Sequence, residues 1–253
     1  MQTMNNSLIN SFILCFAIII FSAPVNAQVN KPKFEIGAML SGFVYQGDLT
    51  PKRFGSFETT RLGFSLFGSL LISPSFALRG NFAYGGLKGD DAMYKYPAYR
   101  QQRNFNFRTP VTELSLLLSW SPLADQFDNR RISPYLFTGG GISFLRIKRD
   151  WSQFNAPHFG EEPELIERLG EDQAVTPPRT IPVIPVGGGF RYRLSERIAV
   201  NVESSYRLLF TDYLDGFSRA ANPEKNDNYH TTSAGISYRM GKKDMLGCPV
   251  VKY

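Results

Sequence analysis

Apolar and polar residues alternate along several segments of this chain. In the stretch RLGFSLFGSLLIS, which follows Thr60, nearly every second residue from Leu62 to Ile72 is large and apolar, and the alternate positions carry Arg61, Gly63, Ser65 and Ser69. A β-strand points successive side chains to opposite faces of its sheet. The pattern therefore predicts a strand with one face suited to lipid and the other to a polar interior.

The same alternation recurs often enough to predict about eight strands, each long enough to cross a bilayer when tilted. The predicted strands are Phe34–Gln46, Arg61–Ser73, Phe76–Leu87, Asn104–Ser121, Pro134–Lys148, Ile181–Leu194, Ile198–Thr211 and Tyr229–Gly241. Eight is the smallest number that closes a transmembrane barrel. The sequence thus predicts an all-β fold: a small, antiparallel, OmpA-like transmembrane β-barrel. An exported β-sandwich is the alternative, but it would not require so many outward aromatic side chains.

Charged residues of both signs fall on the inward faces of these strands. They are Glu35, Arg61, Arg79, Glu113, Arg191, Glu203, Arg207 and Arg239. A lipid-facing Arg costs several kcal/mol at mid-depth, so a lipid face is unsuitable for this set. In a narrow barrel the charges can pair across the lumen. We therefore expect a packed, charged lumen.

The connections between strands alternate strictly between short and long. The long ones are Gly47–Glu58, Lys88–Arg103, Arg149–Thr180 and Leu214–Asn228, and short turns include Ser73–Ser75 and Ser195–Arg197. Outer-membrane barrels have short periplasmic turns and long extracellular loops. Both termini are accordingly expected on the periplasmic side.

The segment FTDYLDGFS lies where the seventh predicted strand ends. Tyr213 and Phe217 suit an interfacial aromatic girdle, and Asp212 and Asp215 suit turn capping or pairing with Arg at the rim. This rim segment is expected to fix how the strand leaves the membrane, and a binding role for it is a further hypothesis.

The ends of the chain differ from its middle. An apolar run from Leu8 to Phe21 stops before Val25-Asn26-Ala27, which predicts a signal peptide over residues 1–27. Because no Lys or Arg precedes this run, a single membrane anchor is the alternative. The barrel is assigned to residues 28–241 and a periplasmic tail to residues 242–253. With Cys15 inside the signal, Cys248 alone remains, so an internal disulfide is excluded.

Composition agrees with an exported barrel. The 253 residues include 21 Phe, 12 Tyr and 22 Gly, and the formal net charge is +6. An exported chain rarely meets nucleic acid, so the basic balance points to contact with the anionic head groups of outer-membrane lipids, or to simple solubility, rather than to DNA or RNA.

Catalytic and cofactor signatures are weak. The only two histidines, His158 and His230, lack a nucleophile context, and no CxxC or HExxH pattern occurs. The glycine runs at 139–141 and 187–189 are interpreted as room for curvature or bulky interior neighbours. The acidic stretch EEPELIERLGEDQ predicts a short amphipathic helix with Leu165, Ile166 and Leu169 on one side, and it lacks the spacing of a Ca²⁺-binding loop. We expect no enzyme activity, cofactor or metal.

The order of motifs resembles the PorG-type family of outer-membrane barrels from Bacteroidota. The resemblance runs from about Phe34 to the C-terminus and is carried most specifically by RNFNFRTPVTE and FTDYLD. It implies a barrel of the type IX secretion system that seats or stabilises a periplasmic ring of lipoprotein and partner subunits.

Under this interpretation the tail is a partner surface. Its candidate contact residues are Lys242, Lys243, Cys248 and Tyr253. The alternatives are a stand-alone barrel that acts as a small pore, a lipid-modifying enzyme, or a surface binding protein built from the long loops.

Overall fold

The computed structural model describes residues 34–51, 55–126, 130–160, 163–220 and 227–240. The predicted signal peptide and tail lie outside the described residues. Nine strands are present in this part of the chain: β1 Phe34–Gln46, β2 Arg61–Leu71, β3 Phe76–Asp90, β4 Asn106–Trp120, β5 Ile132–Leu145, β6 Lys148–Asp150, β7 Thr180–Arg193, β8 Ile198–Leu209 and β9 Asn228–Met240.

Eight long antiparallel strands form one closed barrel. Each pairs with its sequence neighbours, β5 pairs with β7, and β9 returns to β1, where Phe34 lies opposite Met240 and Gln46 opposite Asn228. Closure satisfies the hydrogen-bonding groups at every sheet edge, which a strand structure in lipid requires. The predicted antiparallel eight-stranded barrel is confirmed.

The short strand β6 was not predicted as a separate element. It continues β5 along β4 in the same register, with Val111 opposite Leu145 and Arg108 opposite Lys148. Between these pairs stands Pro110, which has no N–H to donate to the ladder. The predicted strand Pro134–Lys148 is therefore interrupted after Leu145.

The other boundaries differ from the prediction by a few residues. The strand predicted from Asn104 begins at Asn106, because Asn104 has a φ of 51° and ends the short α-helix Tyr99–Arg103. Asn tolerates this left-handed conformation better than most residues.

The outward faces form an apolar belt between two aromatic girdles. At the end with the short turns the exposed aromatic residues include Phe34, Phe76, Trp120, Phe190, Tyr192 and Tyr238, and at the other end they include Phe64, Tyr84, Phe144 and Phe210. Between them lie exposed residues such as Leu66, Leu114 and Ile236. From Phe76 to Tyr84 the belt spans on the order of 20 Å at the usual strand tilt, which suits a lipid bilayer.

The long connections all lie at one end of the barrel. They contain three 3₁₀ helices, Phe57–Thr59, Asp91–Met93 and Ala156–Phe159, and two α-helices, Tyr99–Arg103 and Pro163–Ala174. No helix in the described ranges is long and apolar enough to span a membrane. The first residue of β1, Phe34, and the last residue of β9, Met240, lie at the opposite end of the barrel, beside the short turns.

Glycines in the strands make room for interior side chains. A Cβ added to Gly187 would lie 2.8 Å from the ring of Phe137, and one added to Gly189 would lie 2.9 Å from Glu203 Cγ. Both distances are too short for real contacts, so these positions need glycine. The structural interpretation of the run at 187–189 is confirmed.

Candidate functional site: a charged lumen closed by a folded cap

The inward faces carry three groups of paired charges. In the group nearest the short turns, Glu35 lies 3.3 Å from Arg191 and 3.4 Å from Arg239. Arg191 also donates to Gln126 Oε1 at 3.1 Å, and Arg193 donates to the carbonyl of Asp125 at 2.9 Å. The turn after β4 thereby closes this end of the lumen.

The middle group joins Arg79 to Glu203. The two side chains form a direct ion pair, and the hydroxyl of Tyr135 donates to the same carboxylate at 2.6 Å. The guanidinium of Arg79 lies 3.8 Å from the centre of the Phe67 ring. An Arg held by a carboxylate and an aromatic face is both paired and packed.

The third group lies toward the long loops. Arg207 Nε donates to Glu113 at 3.1 Å, and the Tyr229 hydroxyl donates to the same oxygen at 2.8 Å. Arg207 also contacts the hydroxyls of Ser205 and Thr231. A void of about 10 Å³ remains among Arg79, Glu203 and Arg207 and their neighbours, which is space for roughly one water molecule.

The structure brings together seven of the eight inward charges that the sequence singles out. The exception is Arg61, for which an inward position was predicted. It is exposed at the loop end of β2, and its Cβ lies 3.8 Å from where a side chain on Gly86 would begin. Because Gly86 is on the outward face of β3, Arg61 borders the outer surface of the barrel rather than the lumen.

Above the third charged group the lumen is filled by apolar side chains. Phe43, Leu87, Val111 and Leu209 are buried there, and they continue into Leu49, Leu214 and Phe217 from the loops. The described parts of the four long connections, residues 47–60, 91–105, 146–179 and 210–227, fold together over this cluster. We call this assembly the cap.

Aromatic stacking joins the loops of the cap. The rings of Phe105 and Phe217 are stacked at 4.4 Å, and Trp151 meets Phe217 edge-on at 6.0 Å. Phe217 is only 1% exposed. Its predicted place in an interfacial girdle is wrong, because the loop turns inward and buries this ring at the centre of the cap.

A buried ion-pair cluster within the second loop also contacts the first loop. Asp91 is fully buried and accepts from Arg100 at 2.8 Å and from Arg103 at 2.6 Å. Arg100 also donates to the carbonyl of Asp48 at 3.0 Å. The residues that follow β3 are thus fixed to those that follow β1.

The helix Pro163–Ala174 joins the third loop to the fourth. Asp172 is buried and accepts from the backbone N–H groups of Arg219 and Ala220 at 3.1 and 2.8 Å. The predicted helix is confirmed, with Leu165 and Leu169 facing the apolar interior of the cap. Ile166, expected on the same side, is 42% exposed.

The rim segment lies inside the cap. Gly216 has a φ of +87°, and a Cβ there would lie 2.9 Å from Arg149, so this position favours glycine. Asp215 caps the turn by accepting from the N–H of Phe217 at 2.8 Å. Tyr213 and Asp212 are half-buried beside it.

The carboxyl of Asp215 contacts a tyrosine rather than an arginine. The Tyr45 hydroxyl lies 2.7 Å from Asp215 Oδ2 and 2.7 Å from Asp227 Oδ1. A phenol has one proton to donate. The second short contact therefore requires a proton on one of the two carboxyl groups.

The surroundings of Asp215 and Asp227 favour protonation of a carboxyl group. Burial raises the pKa of Asp215 to about 8, and the charges of Asp48 and Asp212 act in the same direction. Burial and the neighbouring Asp215 charge also raise the pKa of Asp227. We call Tyr45, Asp215 and Asp227 the acid triad. Sequence reasoning missed Tyr45 and Asp227, because alternation identifies an inward face but not the partners across a lumen.

The histidines do not form a catalytic group with each other. His158 is exposed in the 3₁₀ helix Ala156–Phe159 and packs on Phe159, whereas His230 lies on the outward face of β9 against Phe57. Within the described ranges, no three or more His, Cys, Asp or Glu side chains are placed to hold a metal ion.

A large groove of about 1080 Å³ lies on the outer wall of the barrel. Its lining includes Ile36, Leu66, Leu116 and Ile142, together with Gly80. These side chains belong to the apolar belt, so the groove faces lipid rather than a polar ligand.

The closed barrel, the apolar belt with its two aromatic girdles, and the polar lumen define a small membrane-spanning β-barrel of the kind found in bacterial outer membranes. The chain belongs to the family described as Domain of unknown function (DUF6089), whose profile matches residues 10–243.

Solved barrels of similar fold include Ail, the attachment invasion locus protein of Yersinia pestis, at 11% identity and a TM-score of 0.42, with 84% of this chain and 100% of that chain covered. OprG from Pseudomonas aeruginosa has 11% identity and a TM-score of 0.44, with 84% and 98% covered. The outer membrane enzyme PagL has 10% identity and a TM-score of 0.34, with 80% and 99% covered. These similarities concern the fold alone. No curated protein matches the sequence.

Proposed function

We propose that this protein is a non-enzymatic outer-membrane component of the type IX secretion system, and that it seats or stabilises the periplasmic ring complex at the membrane. The observation that carries the anchoring role is the filled lumen. Three groups of ion pairs and an apolar cluster occupy the barrel from the short turns to the cap. A barrel built in this way is suited to hold a position in the membrane.

The filled lumen disfavours the small-pore alternative. Ion conduction requires a continuous polar path, and here the path meets buried Phe43, Leu87 and Val111 beneath the cap. The charged groups below are paired with one another, so they are not free to bind passing ions.

The histidine positions disfavour a lipid-modifying enzyme. Such chemistry needs a nucleophile, a base and an orienting group within hydrogen-bond reach. His230 contacts the Phe57 ring on the outward face, and His158 packs on Phe159 within a loop. The acid triad is covered by the cap and serves to hold it.

The link to secretion rests on the resemblance to PorG-type barrels carried by RNFNFRTPVTE and FTDYLD. Under this proposal the short turns and both termini face the periplasm, and residues 242–253 meet the lipoprotein and partner subunits of the ring. Lys242, Lys243, Cys248 and Tyr253 are the proposed contacts, and they lie outside the described residues.

A photo-crosslinker attached to Cys248 tests this proposal in isolated outer membranes, with captured proteins identified by mass spectrometry. The matched control carries Cys248→Ser and a new cysteine at the exposed cap position Ser152. We expect ring subunits to be captured from position 248 and not from position 152. Capture from position 152 alone, or of no secretion subunit from a folded barrel, would refute the proposal.

A further inference from the structure

A cluster of cations occupies the outward face at the loop end of the barrel. Lys88 of β3, Arg108 of β4 and Lys148 of β6 lie side by side in one hydrogen-bonded row, because Lys88 pairs with Arg108 and Arg108 pairs with Lys148. Neighbouring side chains in such a row have Cβ atoms about 5 Å apart. Three positive side chains thus project together from adjacent strands.

Two further arginines flank this row. Arg146 stands opposite Pro110, two residues before Lys148, and so projects from the same face one step closer to the membrane. Arg61 borders the cluster on the β2 side, beside Gly86. Arg61, Arg108, Arg146 and Lys148 are all exposed. We call these five residues the cationic patch.

Few acids compensate the patch. Lys88 forms an ion pair with Asp90 at 2.9 Å. In the row above the patch, Asp150 accepts a hydrogen bond from the backbone N–H of Ser152. No ion pair joins Arg108 or Lys148 to a carboxylate of the described residues. Five cations therefore face two nearby carboxylates, which leaves an excess of positive charge.

The patch lies at a specific depth relative to the belt. The next outward rows toward the membrane contain Gly86 and Pro110, and then Tyr84, Thr112 and Phe144. Tyr84 and Phe144 belong to the girdle at the loop end, and girdle aromatics lie at the level of lipid headgroups. The Arg and Lys side chains start just above this level. Arg61 lies beside Gly86 and Arg146 lies opposite Pro110, so the row nearest the girdle also carries two of the five cations.

We propose that the cationic patch binds the phosphate group of a lipid headgroup in the leaflet at the loop end of the barrel. Arginine forms paired hydrogen bonds to phosphate oxygens, and clustered cations favour phosphate over neutral headgroups. The acyl chains of the same lipid would lie along the apolar belt below Tyr84 and Phe144. This proposal concerns the barrel alone and does not depend on the secretion role.

Native mass spectrometry of the purified full-length protein from phosphatidylcholine nanodiscs tests the proposal. The discs contain lipid A as the phosphorylated probe, or the same lipid with its phosphates removed. The patch variant is Arg108→Glu/Lys148→Glu, and Arg108→Gln/Lys148→Gln is a milder second variant. The control Arg131→Glu/Arg197→Glu makes the same charge change at the opposite end, where both side chains are exposed. Heat-modifiable migration in a gel verifies folding of each variant.

We expect the native protein and the control to retain the phosphorylated lipid. Retention by the charge-reversed patch variant should fall at least about tenfold, with a smaller fall for the Gln variant. An equal fall in the control, or equal retention of the dephosphorylated lipid, would overturn the proposal. So would complete displacement of the lipid by inorganic phosphate, which would identify a site for free phosphate.

Discussion

The hydroxyl of Tyr45 in β1 lies 2.7 Å from the carboxyl of Asp215 in the last long loop, in fully buried surroundings. The same hydroxyl lies 2.7 Å from Asp227. One phenol between two carboxyl groups fastens the cap to the barrel wall, and a proton shared within the acid triad keeps the contact favourable.

Cap stability is predicted to fall as pH rises. The pKa of Asp215 is about 8 in the folded protein and close to its ordinary value of 3.8 when the chain is unfolded. A raised pKa means that the folded state binds the additional proton. Its stabilising contribution is therefore complete below about pH 4 and is lost as pH rises through about 8. Trp151 fluorescence in a Trp120→Phe background checks this, because Trp151 packs on Phe217.

The variant Asp215→Asn serves as the test of cause, because it replaces the carboxyl whose pKa burial raises to about 8. An amide can donate to the Tyr45 oxygen without titrating, so the pH dependence of the Trp151 signal should become much shallower. An unchanged pH profile in this variant would contradict the role of the acid triad.

Replacement of Glu113 by Ala is predicted to destabilise the barrel strongly. It leaves the buried guanidinium of Arg207 and the hydroxyl of Tyr229 without their shared acceptor, at a cost of about 3–5 kcal/mol. Unfolding in urea from lipid vesicles measures the change. The exposed Glu58→Ala variant should stay within about 0.5 kcal/mol of the native protein. Equal effects of the two changes would show that the lumen pairing is unimportant.

The native barrel is predicted to show no steady conductance in planar bilayers. The variant Arg79→Ser/Glu203→Ser should also remain closed, because the Glu35 and Glu113 groups and the apolar cluster still fill the lumen. A steady, ion-selective current through the native protein would refute the filled-lumen interpretation.

Gly187 and Gly140 are predicted to respond differently to replacement by Ala. A Cβ at Gly187 would lie 2.5 Å from Ser205 Cβ, whereas a Cβ at Gly140 meets nothing within 4 Å. Overpacking at Gly187 should cost about 1–3 kcal/mol. Gly140→Ala should be near neutral, and heat-modifiable gel migration followed against temperature compares the two. Similar melting of both variants would argue against a tight interior at Gly187.

The strands were predictable because a barrel wall repeats one simple rule along each of them. Lipid on one side and a polar lumen on the other impose the two-residue period that is visible in Arg61–Leu71 and Ile198–Leu209. The same rule found seven of the paired lumen charges. It failed at Arg61, where the strand end places the side chain beside Gly86 on the outer surface.

The cap was not predictable from the same rule. Phe217 and Ile166 both fit an apolar pattern, yet one is buried and the other exposed, since the outcome depends on which distant loop packs against them. The cationic patch also depends on register, because Lys88, Arg108 and Lys148 become neighbours only when β3, β4 and β6 pair.

The pairing of β1 with β9 has a consequence for biogenesis. Phe34 meets Met240, so the first and last strands of the described chain must find each other before the wall is complete. Contacts between residues so distant in sequence form slowly, and until they do both strands present open edges prone to aggregation. Closure of the wall by the final strand therefore removes both open edges at once.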